Sequence, residues 1–205
     1  MTNARVEWLE LGGSAERWRS IGLTVLDDGL VPFMFTSLRI VGGAEGIQRW
    51  AISGIADDVT DIDGLATHAV ASSAPVLTDH PNGAIELDHV VVATDSLDRT
   101  CGAIEAATAA PLRRVRDLGH MRQGFHRVGS GGLIVEVVER RELQDGHASF
   151  WGVVVNVADL DAAVELAGPA RIGEARDAVQ PGRRIATVRG EAGLGLPVAL
   201  MSPGR

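Results

Sequence analysis

Two side chains are ill-suited to their surroundings. Glu136 lies in the run Leu133-Ile134-Val135-Glu136-Val137-Val138, whose apolar, β-branched residues read as a buried strand. A carboxylate there needs a cation, a hydrogen bond or a proton, and without one its pKa would rise by ~3 pH units. His89 lies in a second such run, Leu87-Asp88-His89-Val90-Val91-Val92. The two can satisfy each other as a buried ion pair. They can equally serve as a catalytic base and its orienting partner, because removing a proton next to a carbonyl needs a base of near-neutral pKa.

Composition removes other chemistries. All 19 basic residues are Arg and the chain has no Tyr, which excludes Schiff-base lysines, a P-loop lysine and a tyrosine acid. Cys101 is alone, so neither an intrachain disulfide nor a Cys-rich zinc site can form, and a reducing compartment is expected. Twenty-seven acidic residues give a formal net charge of −8, which argues against nucleic acid and against an anionic membrane as partners. The start, MTNARVEWLE, lacks a signal-peptide pattern, and no 18-residue apolar run is present, so a cytoplasmic location is expected.

The elements that position these residues come from an internal repeat. Residues 86–139 match 149–202 at a fixed offset of 63, without gaps at either end. Leu87–Val92 falls on Phe150–Val155, Ser96-Leu97-Asp98 on Asp159-Leu160-Asp161, and Gly132–Val138 on Gly195–Met201. Each copy reads as β-α-β-β-β: a β-branched run, a helix started by Ser or Asp, two short strands, and a last strand after a Gly-rich turn. In the first copy the short strands are 112–115 and 124–128. In the second they are 170–172 and 184–188.

A fainter, gapped copy is expected over residues 1–55, with strands at 6–11, 30–35, 37–41 and 47–55 and a helix at 14–23. Residues 56–83 are expected to be a linker or cover, and residues 84–205 a domain of two paired units (85–140 and 149–202). The fold class is α+β. Three units cannot all pair within one chain, which leads to the expectation of a homodimer.

A β-α-β-β-β unit used in pairs, opening Leu87-Asp88-His89-Val90-Val91-Val92 and then Ser96-Leu97-Asp98, resembles the glyoxalase/bleomycin-resistance/extradiol-dioxygenase (vicinal oxygen chelate) superfamily, and is similar to its glyoxalase-like actinobacterial members. The resemblance implies two modules in a curved mixed sheet around a cavity. It also implies metal ligands on the first and last strands of a module, here His89 and Glu136, holding Zn, Ni, Mn or Fe. Gly152 and Ala199 occupy these places in the second copy, so half of that site is missing. A catalytic metal usually has at least three protein ligands, which would leave Glu7, His126 or another subunit to supply one. If the hairpin closes through residues 129–132, Phe125 pairs with Glu136, and His126 points to the other face.

The function expected from the resemblance is a lyase or isomerase acting on a carbonyl compound, with His89 and Glu136 as metal ligands or base. The alternative is a metal-free binding or drug-sequestering resistance protein, with Trp50, Trp151, Phe125 and Phe150 lining an apolar cavity for a small molecule. The ligand-binding residues expected overall are Trp50, Phe125, His126, Trp151 and Arg189. Arg122, Arg127, Arg183, Arg184 and Arg189 are the cations expected near the third strands.

Overall fold

A computed structural model of the chain describes residues 4–140 and 146–204. In chain order the elements are strand β1 (Arg5–Gly12), helix α1 (Ala15–Arg19), strands β2 (Leu30–Val31), β3 (Ser37–Ile40), β4 (Gly46–Ser53), β5 (Asp61–Ile62), β6 (Leu65–Val70) and β7 (Ala84–Thr94), helix α2 (Leu97–Thr108), strands β8 (Leu112–Asp117), β9 (Arg122–Arg127), β10 (Ile134–Glu139) and β11 (Ser149–Val157), helix α3 (Leu160–Ala167), and strands β12 (Arg176–Asp177), β13 (Arg184–Thr187) and β14 (Val198–Met201). Residues 141–145 of the expected connection between the two copies lie outside the described residues.

The strands form a six-stranded sheet, β2-β3-β1-β4-β6-β5, and an eight-stranded one, β12-β13-β14-β11-β7-β10-β9-β8. The eight-stranded sheet is the repeat made visible. In each copy the first strand pairs in parallel with the last, and the register is the same: Val90 faces Val135, and Val153 faces Val198. The first strands β7 and β11 then join the copies antiparallel. Ser96 and Asp159 cap α2 and α3, accepting from the amides of Arg99 and Ala162. Both helices bury an apolar stripe, led by Leu97, Cys101 and Ile104 in one and Leu160, Ala163 and Ala167 in the other.

The N-terminal region departs from the single unit expected over residues 1–55. β3 returns parallel to β1 and closes a unit there, while β4 runs antiparallel to β1 and opens another. β6, parallel to β4, closes that second unit. The stretch 56–83, expected as linker or cover, thus contributes β5 and β6 to the sheet. The chain holds four units in two pairs, and the reason for expecting a homodimer, an unpaired third unit, falls away. The strand expected at 170–172 is also absent. Ile172 makes only an isolated bridge to Val188, and the edge strand forms later, as β12.

One apolar core joins the two sheets, and Trp50 meets Phe150 edge to face across it at 5.4 Å. Among the described residues no helix is long and apolar enough to cross a membrane.

Candidate functional site

The eight-stranded sheet curls so far that its two outermost strands line the same space: Arg116 of β8 and Arg176 of β12 both border a cavity of about 400 Å³. A second cavity of about 330 Å³ lies beside it, lined by Met121, Val138, Trp151 and Val198. His89, Gln123, Glu136 and Ile185 border both, so the two are lobes of one cleft divided by the His–Glu pair.

Strand register brings that pair together. Glu136 of β10 lies beside Val91, and His89 is one diagonal step away on β7. His89 Nε2 stands 3.4 Å from a Glu136 oxygen, and Nδ1 is 2.7 Å from Asp88 Oδ2. Neighbours in a regular strand point to opposite faces, and Asp88 reaches His89 because the strand is irregular there. Leu87 pairs with Val155 and His89 with Val154, which leaves Asp88 as the extra residue of a β-bulge. Asn156 donates to Asp88 Oδ1 at 2.8 Å, and Arg183 donates to the same oxygen at 3.0 Å. Arg183 also donates to Asn156 Oδ1 and to the Ser202 carbonyl.

The two carboxyl groups shift in opposite directions. Burial alone would raise Asp88, but its hydrogen bond and attraction to His89, with Arg183 and Asn156, lower it to about 2. Burial raises Glu136, Asp88 repels its charge further, and His89 and Arg116 offset this only in part. Asp88 therefore stays ionised, accepts the Nδ1–H of His89 and turns the other ring nitrogen to Glu136. Gln123 steadies Glu136 by donating Nε2–H to Oε1 at 2.7 Å, and its own carbonyl oxygen is buried with no partner among the described residues.

The remaining expected residues divide. Phe125 pairs with Glu136, the expected register, and borders the larger lobe. Trp151 is 44% exposed at the rim of the smaller one, with the Arg140 guanidinium 5.1 Å from its ring centroid. His126 is buried on the opposite face, bonded to the Ala110 carbonyl, and cannot supply a ligand beside Glu136. Trp50 belongs to the core, where it donates to Thr67, and lines no part of the cleft. Arg189 is exposed and bonds the Pro169 carbonyl. Glu7 is in the other sheet, held by Arg5, Ser53 and Ser73. Asp88, Gln123 and Arg116 were not foreseen as site residues. The expected hairpin register did carry the signal for Gln123, which lies two residues from Phe125 on the same face.

The donor set can be tested for a divalent metal. His89 Nε2 and Glu136 converge, and a carboxylate on Nδ1 is the usual support of a metal-bound histidine. Among the described residues no three His, Cys, Asp or Glu side chains are grouped to hold an ion, and the further oxygen beside Glu136 is the neutral amide carbonyl of Gln123. In the second copy a side chain at Gly152 is sterically excluded, because a Cβ there would stand 2.5 Å from the Pro197 carbonyl oxygen. His89 and Glu136 by themselves do not fit a resident catalytic metal, which usually takes three protein ligands.

No family model and no curated protein matches the sequence. Among solved structures, a triple mutant of 4-hydroxymandelate synthase from Streptomyces coelicolor matches with a TM-score of 0.65 at 15% identity, over 98% of this chain and 92% of that one. Methylmalonyl-CoA epimerase from Mycobacterium tuberculosis matches with a TM-score of 0.51 at 17% identity, over 63% of this chain and 93% of its own. Identities this low speak to architecture alone. In its repeated β-α-β-β-β units, paired through their first strands around a cleft, the chain has the fold of the vicinal oxygen chelate superfamily.

Proposed function

We propose that the chain is a small-molecule enzyme of glyoxalase-like type, a lyase or isomerase that moves a proton at the carbon next to a carbonyl. The observation that carries this reading is His89 set between a low-pKa and a high-pKa carboxyl group at the divide of an open cleft. Asp88 holds the Nδ1 proton, so Nε2 and Glu136 share the remaining site for a proton between them. Glu136, raised by burial, is the base that takes a proton from carbon, and His89 receives or returns it. Gln123 fixes the carboxylate's rotation, and its unpartnered carbonyl is an acceptor for an O–H or N–H of the substrate. No step requires a metal.

The test is hydrogen–deuterium exchange in D2O, followed by proton NMR, on a panel of acyl thioesters, 2-oxoacids and aldehydes. The expected result is exchange next to the carbonyl of at least one class, lowered by 10²-fold or more in Glu136→Gln. The half-exposed Trp151, over an apolar lobe, favours a second reading: a drug-sequestering binder without chemistry. Ligand binding unaffected by Glu136→Gln, with no exchange in any class, would select it.

A further inference from the structure

The two lobes of the cleft differ in chemistry. The smaller is walled by Met121, Val138, Trp151 and Val198, while the larger places Arg116 and Arg176 on opposite walls. Other arginines at the cleft are occupied: Arg183 by Asp88 and Asn156, and Arg140 by the face of Trp151. Arg116 and Arg176 have no ion-pair partner among the described residues. Arg116 is half-buried, and its charge already acts on Glu136. Two carboxylates border the same lobe, Glu136 and, directly across the pairing from Arg184, Asp177. Arg184 itself bonds Asp161, and neither carboxylate makes an ion-pair contact with Arg116 or Arg176 among the described residues. Two guanidinium groups facing one space, neither held in an ion-pair contact among the described residues, form a local cationic spot on a chain of net charge −8.

We infer that Arg116 and Arg176 form an anion subsite, and that the ligand is a small molecule with an apolar or aromatic body against Trp151 and a carboxylate or phosphate group between the two arginines. The inference rests on reading the cleft as the ligand site. It adds a ligand class and a direction, with the apolar end in one lobe, the anionic end in the other, and the reacting carbon beside Glu136.

The probes are phenylacetate, phenyl phosphate and neutral phenylacetamide, titrated into the ¹⁵N-labelled full chain. Binding is read from the indole N–H resonance of Trp151, and the buried Trp18 and Trp50 resonances serve as controls for the fold. The anions are expected to bind about tenfold more tightly than the amide. Arg116→Gln should remove that advantage, and Arg176→Gln, at an exposed position, should reduce it about threefold. Whichever anion shows the larger loss in Arg116→Gln identifies the group as carboxylate or phosphate. Equal binding of all three probes, or an advantage that survives both variants, overturns the anion subsite and leaves the cleft as a ligand site. Failure of every probe to move Trp151 overturns both.

Discussion

In the six-stranded sheet the extra residue of the β1 bulge is Glu7, and in the eight-stranded sheet Asp88 is the extra residue of one of two bulges in β7, the other falling at Ile85. Their partner strands β4 and β11 carry bulges too, at Gln48 and Trp151. Asp88 and Trp151 are related by the offset of the sequence repeat. The first strand of all four units therefore carries a bulge that frees a side chain from the alternation.

The two sheets use that side chain differently. Glu7 is enclosed by Arg5, Ser53 and Ser73, and Gln48 bonds the carbonyls of Gly42 and Ala44. The chain after β6 lies against this face, with residues 73–76 lining the same cavity as Trp8 and Arg39. Asp88 is instead bonded to a histidine that faces open space, and Trp151 stands at the rim of the cleft. The lesson is one of partners. A bulge carboxylate surrounded by serines and an arginine of its own strand is held in place on all sides, whereas one placed against a histidine orients that ring, which in the proposed function prepares a proton acceptor.

The largest effect expected from this contrast is on rate. Asp88→Asn removes the anion that orients His89, and α-proton exchange should fall by about 10³-fold, as expected when an imidazole loses the carboxylate that fixes its tautomer. A rate within threefold of the parent would mean that Asp88 is as structural as Glu7.

Next in size is stability at Glu7. Burial alone would raise its pKa, but Arg5, Ser53 and Ser73 lower it from 4.5 to about 2. A depressed folded-state pKa stabilises the fold above the unfolded value, and that contribution is lost as pH falls from 4.5 towards 2. Glu7→Gln should cost on the order of 3 kcal/mol in urea unfolding at pH 7 and almost nothing at pH 2, without changing the exchange rate. A rate loss matching Asp88→Asn would erase the contrast between the sheets.

Much of this contrast was hidden in the sequence for a physical reason. The ungapped repeat revealed the paired units of the eight-stranded sheet, because both copies keep the same register between first and last strands. The hairpin register that set Phe125 against Glu136 followed from period-two alternation alone. Asp88 escaped because a bulge breaks that alternation, and nothing in Leu87-Asp88-His89 marks the extra residue. The N-terminal pair escaped because its units are shortened. β5 has two residues and no helix separates it from β4, so β4 reads as the last strand of a unit over 1–55. In the fold Trp50 opens a unit and faces the core.

A smaller effect, opposite in sign to that at Glu7, is expected at Glu136. Its pKa is raised in the fold, so the folded state holds its proton more tightly than the unfolded chain does. The resulting stabilisation is complete below the unfolded value of about 4.5 and is lost as pH rises through the folded value. Glu136→Gln should therefore raise stability at pH 8 while lowering exchange by 10²-fold or more, the pattern of a group kept for function at a cost to the fold. Loss of stability at pH 8 would instead mark Glu136 as a structural partner of His89.

The smallest expected effect is that of divalent metal. Zn, Ni, Mn or Fe(II) should change Tm by less than about 1 °C, because ligand-linked stabilisation requires a folded site that binds tightly. Glu7 is committed to Arg5 and the serines, His126 faces the helix side, and Gly152 has no room for a side chain. Each third ligand expected from the sequence within this chain, and the matching position of the second copy, is thus closed by a particular contact among the described residues. Elemental analysis of protein prepared without a His-tag or chelator should find well under one equivalent, unchanged in the His89→Ala/Glu136→Ala double variant. Near-stoichiometric metal that disappears in that variant would overturn the metal-free reading and require a donor from outside this set, with a second copy of the chain as the first place to look.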